Sequence, residues 1–347
     1  SKKLNMSLKN LNVTTKIPRL LKNKLNNFRI NKIYKSFEKS LNIKEDFVVA
    51  VSGGPDSLAL AFLSKIYSIN KKLVSKFIIV DHKLRKESTN EAKLVKKKLK
   101  KFYINAEILT WVGKKPSNNI QSFARDNRYR LLFENCKKYR FDNILIGHHQ
   151  GDVFENFFIR LLRGSGLKGL VSLDMKSQVS KVNLLRPLLN FKKDDLTFLS
   201  KYIFDFYVDD PSNRDEKYQR IKVRKLIEEL NKNGLDKKKF HKTIENLKNS
   251  NETIKFYVKQ NLLKNTYHSL RKNQLIVNKD FFLQPYEVVF RAFTDSIKLI
   301  GNKYYSVRGK KIDRIILQIL NDTFSKGTLG GCIIEKVNQT LIISKET

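Results

Sequence analysis

A doubly wound parallel α/β sheet, followed by a mainly helical α+β C-terminal region, is the fold class this sequence predicts. Three observations carry the prediction. Segments 47–51, 77–80 and 143–147 are short apolar runs without polar alternation, as expected of strands covered on both faces. Segments of helical length separate them, so strand and helix alternate along the chain. Polar clusters at 52–57, 81–82 and 147–152 directly follow or close the runs. They therefore fall at the carboxyl ends of strands, where sheets of this class bind ligands.

The elements follow in order. Residues 1–45 carry twelve Lys or Arg against two Glu. Ile30, Ile33 and Phe37 have helical spacing, which predicts a helix ending before Asn42 behind a basic N-terminal arm. The strand at 47–51 comes next, and Leu58 to Leu63 begin a buried helix. A second strand at 77–80 ends in Asp81 and His82. A lysine-rich helix over about 88–101 keeps Ala92, Val95 and Leu99 on one face. A third strand lies near 106–112, a helix at about 119–138, and a fourth strand at 143–147. A further helix is expected to begin near 150. Residues 184–189 close the sheet region. The run Asp209, Asp210, Pro211, Ser212, Asn213, Arg214, Asp215 is turn-rich and predicts a boundary. Residues 216–270 read as basic helices. Residues 271–347 read as short strands and helices, with Gly327, Gly330 and Gly331 at turns. The expected division is a 1–45 arm and helix, a 46–215 sheet domain and a basic 216–347 region.

Composition narrows the partners. The chain has 70 Lys and Arg against 33 Asp and Glu, a formal net charge of +37. An excess this large favours a polyanion, with nucleic acid the first candidate. Hydrophobic residues make up 41%, with 23 Phe and 13 Tyr, enough for a packed core and against whole-chain disorder. Trp111 and most Phe and Tyr are expected in that core. Cys136 and Cys332 form no disulfide framework and no Cys-x-x-Cys pair, so a reducing, cytoplasmic setting is expected. No apolar run approaches the roughly 20 residues of a membrane helix. The N-terminal lysines precede no apolar stretch, so neither a membrane partner nor a secretory signal is expected.

The loop Ser52, Gly53, Gly54, Pro55, Asp56, Ser57 joins a strand to a helix N-terminus. Glycines let backbone N–H groups face a phosphate, and the helix dipole adds about half a positive charge. Ser52 and Ser57 add hydroxyls. An acid such as Asp56 fits an anion site only if a cation bridges it to phosphate, and Mg²⁺ is the natural choice. The loop lacks the Lys-Ser/Thr ending of Walker A. Ser-Gly-Gly-x-Asp-Ser after a buried strand resembles the signature of the N-type ATP pyrophosphatases, or PP-loop enzymes. In that family the loop holds the pyrophosphate leaving group while ATP adenylates a substrate.

Other blocks resemble bacterial tRNA(Ile)-lysidine synthetases over about 47–225. They are Asp81 to Arg85, Gln121 to Tyr129, Gly147 to Asn156, Arg160 to Leu170, Arg186 to Leu189 and Asp210 to Asn213. Residues Thr328 to Cys332 also resemble some members. At positions 151 and 156 the family pattern has an acidic residue and Thr, where this chain has Gly151 and Asn156. The resemblance implies a carbon–nitrogen ligase. ATP adenylates C2 of the wobble cytidine of a CAU-anticodon tRNA(Ile), releasing pyrophosphate. Free L-lysine then displaces AMP to give lysidine.

On this reading Ser52, Gly53, Gly54 and Ser57 hold the β,γ-phosphates, Pro55 belongs to the same ATP-binding loop, and Asp56 holds Mg²⁺. Asp81 and His82 lie where the nucleoside of ATP is expected. Arg125 and Arg128 share a helix face and brace the α-phosphate or wobble nucleotide. Arg130 is off that face. Asp152 or Glu155 captures the lysine ammonium beside His148, and N-capping is the competing role for Asp152. A zinc reading of His148, His149, Asp152 and Glu155 is disfavoured, because adjacent histidines rarely bind one ion. Arg160, Arg163 and Lys168 are expected against the anticodon stem, and Arg220 and Arg224 along the tRNA. Protein partners are not specified, and homodimerisation is left open. A PP-loop tRNA thiolase is the rival enzyme; several such enzymes use a Cys pair, and this chain has none. A non-catalytic basic RNA-binding protein is disfavoured by the intact loop.

Overall fold

The computed structural model describes residues 16–83, 85, 87–113, 120–179, 181–209, 219–269, 273–302, 307 and 309–346, with backbone only at 120–122. The expected basic arm at 1–15, Leu84, the side chains of Gln121 and Ser122, and the turn at 210–215 lie outside the described residues. The chain forms two compact units, Ser1–Asp236 and Lys237–Thr347. The division falls later than the break expected near 215. The reason is that helix α9 (Gln219–Lys232) buries Ile221, Val223 and Ile227 and packs on α6 (Gln150–Leu161) of the first unit.

In the first unit, α1 (Arg19–Leu25) and α2 (Phe28–Leu41) precede the sheet. Asn27 caps α2 by accepting the Ile30 N–H, and Asn42 ends it in the left-handed region at φ 32°. Asn tolerates that conformation better than most residues. Then come β1 (Phe47–Val51), α3 (Pro55–Lys71), β2 (Ser75–Asp81), α4 (Ser88–Lys100), β3 (Ala106–Thr110), α5 (Ile120–Tyr139) and β4 (Asn143–Leu145). After α6 follow α7 (Leu167–Leu170), β5 (Lys176–Val179), β6 (Val182–Leu185) and α8 (Lys193–Phe204).

The described strands of this sheet run in the order β3-β2-β1-β4-β6-β5. All neighbours are parallel except the β5–β6 edge pair. Val49 lies opposite Phe77 on one side and Leu145 on the other. Phe47, Val49 and Val51 enter one core, and Val48 enters a second core with Ile78, Leu132 and Ile144. Two covered faces explain why the run does not alternate. β5 was not expected. Lys-Ser-Gln-Val has no apolar run, as suits a short polar edge strand.

The second unit holds α10 (Lys237–Asn265), α11 (Tyr286–Gly301), α12 (Gly309–Leu320) and five described strands. These are β7 (Thr266–Ser269), β8 (Gln274–Val277), β9 (Lys326–Leu329), β10 (Cys332–Val337) and β11 (Thr340–Lys345). They form an antiparallel sheet in the order β7-β8-β11-β10-β9. Gly330 and Gly331, both at positive φ, turn β9 into β10. Phe281, Phe293, Ile297, Ile334 and Ile343 fill a core of its own. Among the described residues no helix is long and apolar enough to cross a membrane.

Candidate active site

β1 delivers the chain into the 52–57 loop at its carboxyl end. Gly53 sits at φ +91°, and a Cβ there would fall 2.6 Å from Val95 Cγ2. Only glycine fits that conformation and that space. The Ser57 hydroxyl organises the turn. It accepts the N–H groups of Ser52 and Gly53 at 3.1 and 3.0 Å and donates to the Gly54 carbonyl at 2.9 Å. Ser57 therefore shapes the cradle with its proton already committed to the backbone. Pro55 begins α3, and the N-cap Gly54 brings no side chain to cover the first-turn N–H groups. Those donors and the helix dipole suit a phosphate.

Side chains from the N-terminal ends of three helices meet at Asp56. Asp56 itself lies in the first turn of α3. Lys193, the first residue of α8, places Nζ 2.6 Å from Asp56 Oδ2. His149, the N-cap of α6, places Nε2 3.9 Å from the same oxygen and 3.7 Å from Asp152 Oδ2. The close fit depends on Gly147, where a Cβ would lie 3.3 Å from the Asp56 carbonyl. Ser200 of α8 donates to the Pro55 carbonyl at 2.5 Å and ties that helix to the loop. Asp56 Oδ1 is buried and has no hydrogen-bond partner. An orphaned carboxylate oxygen at an anion cradle fits a cation ligand. Among the described residues no group of three or more His, Cys, Asp or Glu is placed to hold a metal. A single carboxylate completed by substrate phosphates and water is how Mg²⁺ is usually held.

The turn into α6 is a reciprocal cap. Gly151 N–H donates to His149 Nδ1 at 2.9 Å, and the Asp152 carboxylate accepts the His149 N–H at 2.9 Å. Burial pushes Asp152 up, but His149, His148 and this hydrogen bond outweigh it and hold the carboxyl below its usual value. Asp152 thus fills the capping role and stays ionised at the site. Glu155, one turn on, is 5% exposed. Arg224 of α9 grips it, with Nε at 2.5 Å and Nη2 at 3.4 Å. Arg220, one turn before Arg224, acts electrostatically on both His148 and Asp152. Arg220 and Arg224, expected along the tRNA, are thus brought to the N-terminal half of α6. His148 accepts at Nδ1 from Arg186 Nε at 3.2 Å.

Asp81 is buried at the end of β2. Its oxygens accept from Ser88 Oγ, Thr89 Oγ1 and the Lys83 N–H at 2.8, 2.6 and 3.0 Å. Burial opposes ionisation, but these bonds win and keep the carboxyl below its usual value. Asp81 therefore fixes the loop into α4. His82 beside it is pushed down to about 4, by burial first and by Arg128 second. Arg128 Nε lies 3.4 Å from His82 Nε2. Arg125 is exposed and stacks 5.3 Å from the Tyr129 ring centroid. Arg160 and Arg163 lie at the far end of α6, where Arg163 donates to Gln219 at 2.6 Å. Lys168 lies in α7. These three are not gathered around Asp56. Trp111 is buried edge-on to Phe123.

The PP-loop domain family matches residues 23–230. A tRNA(Ile)-lysidine synthase of Wolbachia pipientis wMel is 33% identical over 305 residues, covering 86% of this chain and 70% of that protein. The chain belongs to the tRNA(Ile)-lysidine synthase family. A tRNA(Ile)-lysidine synthase of Orientia tsutsugamushi is 32% identical over 311 residues, covering 86% of this chain and 69% of its own. In fold, the chain is similar to a U34-tRNA thiolase of Methanococcus maripaludis, solved with its [4Fe-4S] cluster. The TM-score is 0.55 at 20% identity, covering 65% of this chain and 79% of that one.

Against the tRNA(Ile)-lysidine synthase pattern, Gly151 has a local cause. A Cβ at 151 would lie 2.6 Å from His149 Cε1. The missing side chain lets the His149 ring fold over the start of α6. Asn156 donates to Ser172 Oγ at 3.2 Å. Sequence reasoning missed Lys193 and Ser200, which no motif sets apart from other lysines and serines. It also missed Arg186 as a site residue, although the Arg-Pro-Leu-Leu block was a usable signal.

Proposed function

We infer that this protein is an ATP-dependent ligase that converts the wobble cytidine of a CAU-anticodon tRNA(Ile) to lysidine. The C2 oxygen of C34 attacks the α-phosphorus of ATP, and the bond to pyrophosphate breaks. The lysine amine then attacks C2 and expels AMP, with loss of one proton. Family membership supports the acceptor. The observation that carries the ATP chemistry is the orphaned Asp56 Oδ1 at the mouth of an uncapped helix.

Mg²⁺ at Asp56 would neutralise the charge of the leaving pyrophosphate. The α3 N–H groups bind its oxygens, and the Ser57 hydroxyl keeps the loop in shape for them. Lys193 supplies a mobile positive charge to the same leaving group once Asp56 is taken by the cation. Arg125 and Arg128 brace the α-phosphate, and Asp152 receives the ammonium of free lysine, with Glu155, paired with Arg224, adding negative charge beside it. Arg160, Arg163 and Lys168 contact the anticodon stem backbone, and the basic second unit adds phosphate contacts. The catalytic segment is 46–215, with α9 contributing Arg220 and Arg224. Against a thiolase, Cys136 and Cys332 are both buried, and burial pushes their thiols to about 12 and about 11. Neither offers a thiolate to carry sulfur.

The test incubates protein with ATP, Mg²⁺, radiolabelled lysine and unmodified tRNA(Ile). Acid-precipitable label is expected, absent with Asp56→Ala and with a C34→U tRNA. Pyrophosphate release without lysine incorporation would overturn the lysine assignment and keep adenylation. Neither signal from folded protein would favour the RNA-binding reading.

A further inference from the structure

Arg186 follows β6 and is only 6% exposed. Its Nη1 donates to the Asp174 carbonyl and to Ser177 Oγ, both at 2.9 Å. Its backbone N–H donates to the Met175 carbonyl at 2.8 Å. Ser177 lies on β5 and Asp174 and Met175 just before it, so the unexpected edge hairpin acts as the socket for this guanidinium. The remaining named bond is Nε to His148 Nδ1 at 3.2 Å. A guanidinium has only donors. His148 Nδ1 must therefore present its lone pair, and the proton of a neutral imidazole sits on Nε2.

We propose that Arg186 is a positioning residue that fixes His148 as a neutral Nε2–H hydrogen-bond donor. Protonating Nδ1 would break the bond to Arg186 and set two cations against each other. The charged groups facing His148 come from four elements. They are Asp152 on α6, Arg186 after β6, Arg125 on α5 and Arg220 on α9. Burial first, and then three guanidiniums against one carboxylate, push the imidazole below its usual value. A fixed donor takes an acceptor. On the lysine-site reading given above, His148 then serves the carboxylate of the amino-acid substrate and leaves the ammonium to the acidic side.

The chain has five histidines, so ¹⁵N NMR of histidine-labelled protein can resolve them, with His148→Gln giving the assignment. His148 is expected to show the Nε2–H tautomer with shifts flat from about pH 6 to 8, the range in which free histidine titrates. In Arg186→Gln the signal is expected to titrate in that range or to mix tautomers. Arg186→Lys, which keeps the charge without the Nε donor, is expected to mix tautomers too. A loss of packing alone would lower the melting temperature and leave the tautomer unchanged. A wild-type His148 that carries its proton on Nδ1, or that titrates in this range, overturns the proposal. So does an Arg186→Gln spectrum identical to wild type. Lysine, but not cadaverine, which lacks the carboxylate, is expected to shift the Nε2 resonance. If the tautomer is as stated and lysine shifts nothing, the lysine reading of this pocket falls and the tautomer assignment stands.

Discussion

Ser57, Gly53 and His82 each carry one physical task that a single substitution isolates. Ser57→Ala strands the N–H groups of Ser52 and Gly53, and the expected loss is about 1–3 kcal/mol. Urea denaturation reads it, and an unchanged midpoint would show that water replaces the hydroxyl without penalty. Gly53→Ala forces a side chain into the left-handed region at φ +91° and against Val95. Strain of about 1–3 kcal/mol is expected, together with loss of ATP-dependent activity. For His82 the folded value is lowered from 6.5 to about 4. Between those values the unfolded chain binds more protons, so stability rises with pH there and falls as pH drops from about 6.5 toward 4. His82→Gln is expected to flatten that slope in urea midpoints taken at several pH values. Equal slopes would exclude His82 as the source. The loop at 52–57 was legible in the sequence because its parts are contiguous. Lys193 was not, because it reaches Asp56 from 137 positions away.

Among the elements, α3 and α8 carry the site, and tertiary bonds far from it hold them. The Tyr67 hydroxyl on α3 donates to the Ile43 carbonyl at 2.8 Å and accepts the Ile43 N–H at 2.9 Å. It pins the segment between α2 and β1. Tyr67→Phe leaves both backbone groups unpaired, with an expected cost of about 1–3 kcal/mol. A melting temperature equal to wild type would refute that role. On α8, Asp195 pairs with Arg29 of α2 at 2.7 Å, and the guanidinium lies 4.1 Å from the Phe198 ring centroid. Both partners are partly exposed, so this latch is worth at most about 1 kcal/mol. The strands β1 and β2 and helix α4 were legible, because burial on two faces or one writes a period into the residues. β5 was not legible, because a polar edge strand is specified by its partner β6.

For the whole molecule, charge and core division set the behaviour. With a net charge of +37, tRNA affinity should fall steeply with salt. The log–log slope is expected at roughly −0.7 to −0.9 per phosphate contact. Filter binding across three salt concentrations reads it, and a flat response would remove the electrostatic account. The second unit has its own buried cluster from Val258 to Ile343. A fragment spanning 237–347 is therefore expected to unfold cooperatively on heating, and a gradual transition would contradict an independent core. The later division at Asp236 was not legible. The turn-rich run before it reads as a boundary, whereas the packing of Ile221, Val223 and Ile227 keeps α9 in the first unit.

By itself the sequence determined the sheet class, the strand, loop and helix start at 47–57, and the excess of positive charge. Each of these is written locally, in periodicity, in a six-residue loop or in composition. Only the tertiary structure decided that Lys193 reaches Asp56 and that Arg186 donates to His148 Nδ1. It also decided that Ser57 binds its own loop backbone, that Asp81 holds Ser88, Thr89 and the Lys83 N–H, and that Arg224 closes on Glu155. Those outcomes depend on distances between residues remote along the chain. Folding sets such distances by burying apolar faces, with no local signal to announce them.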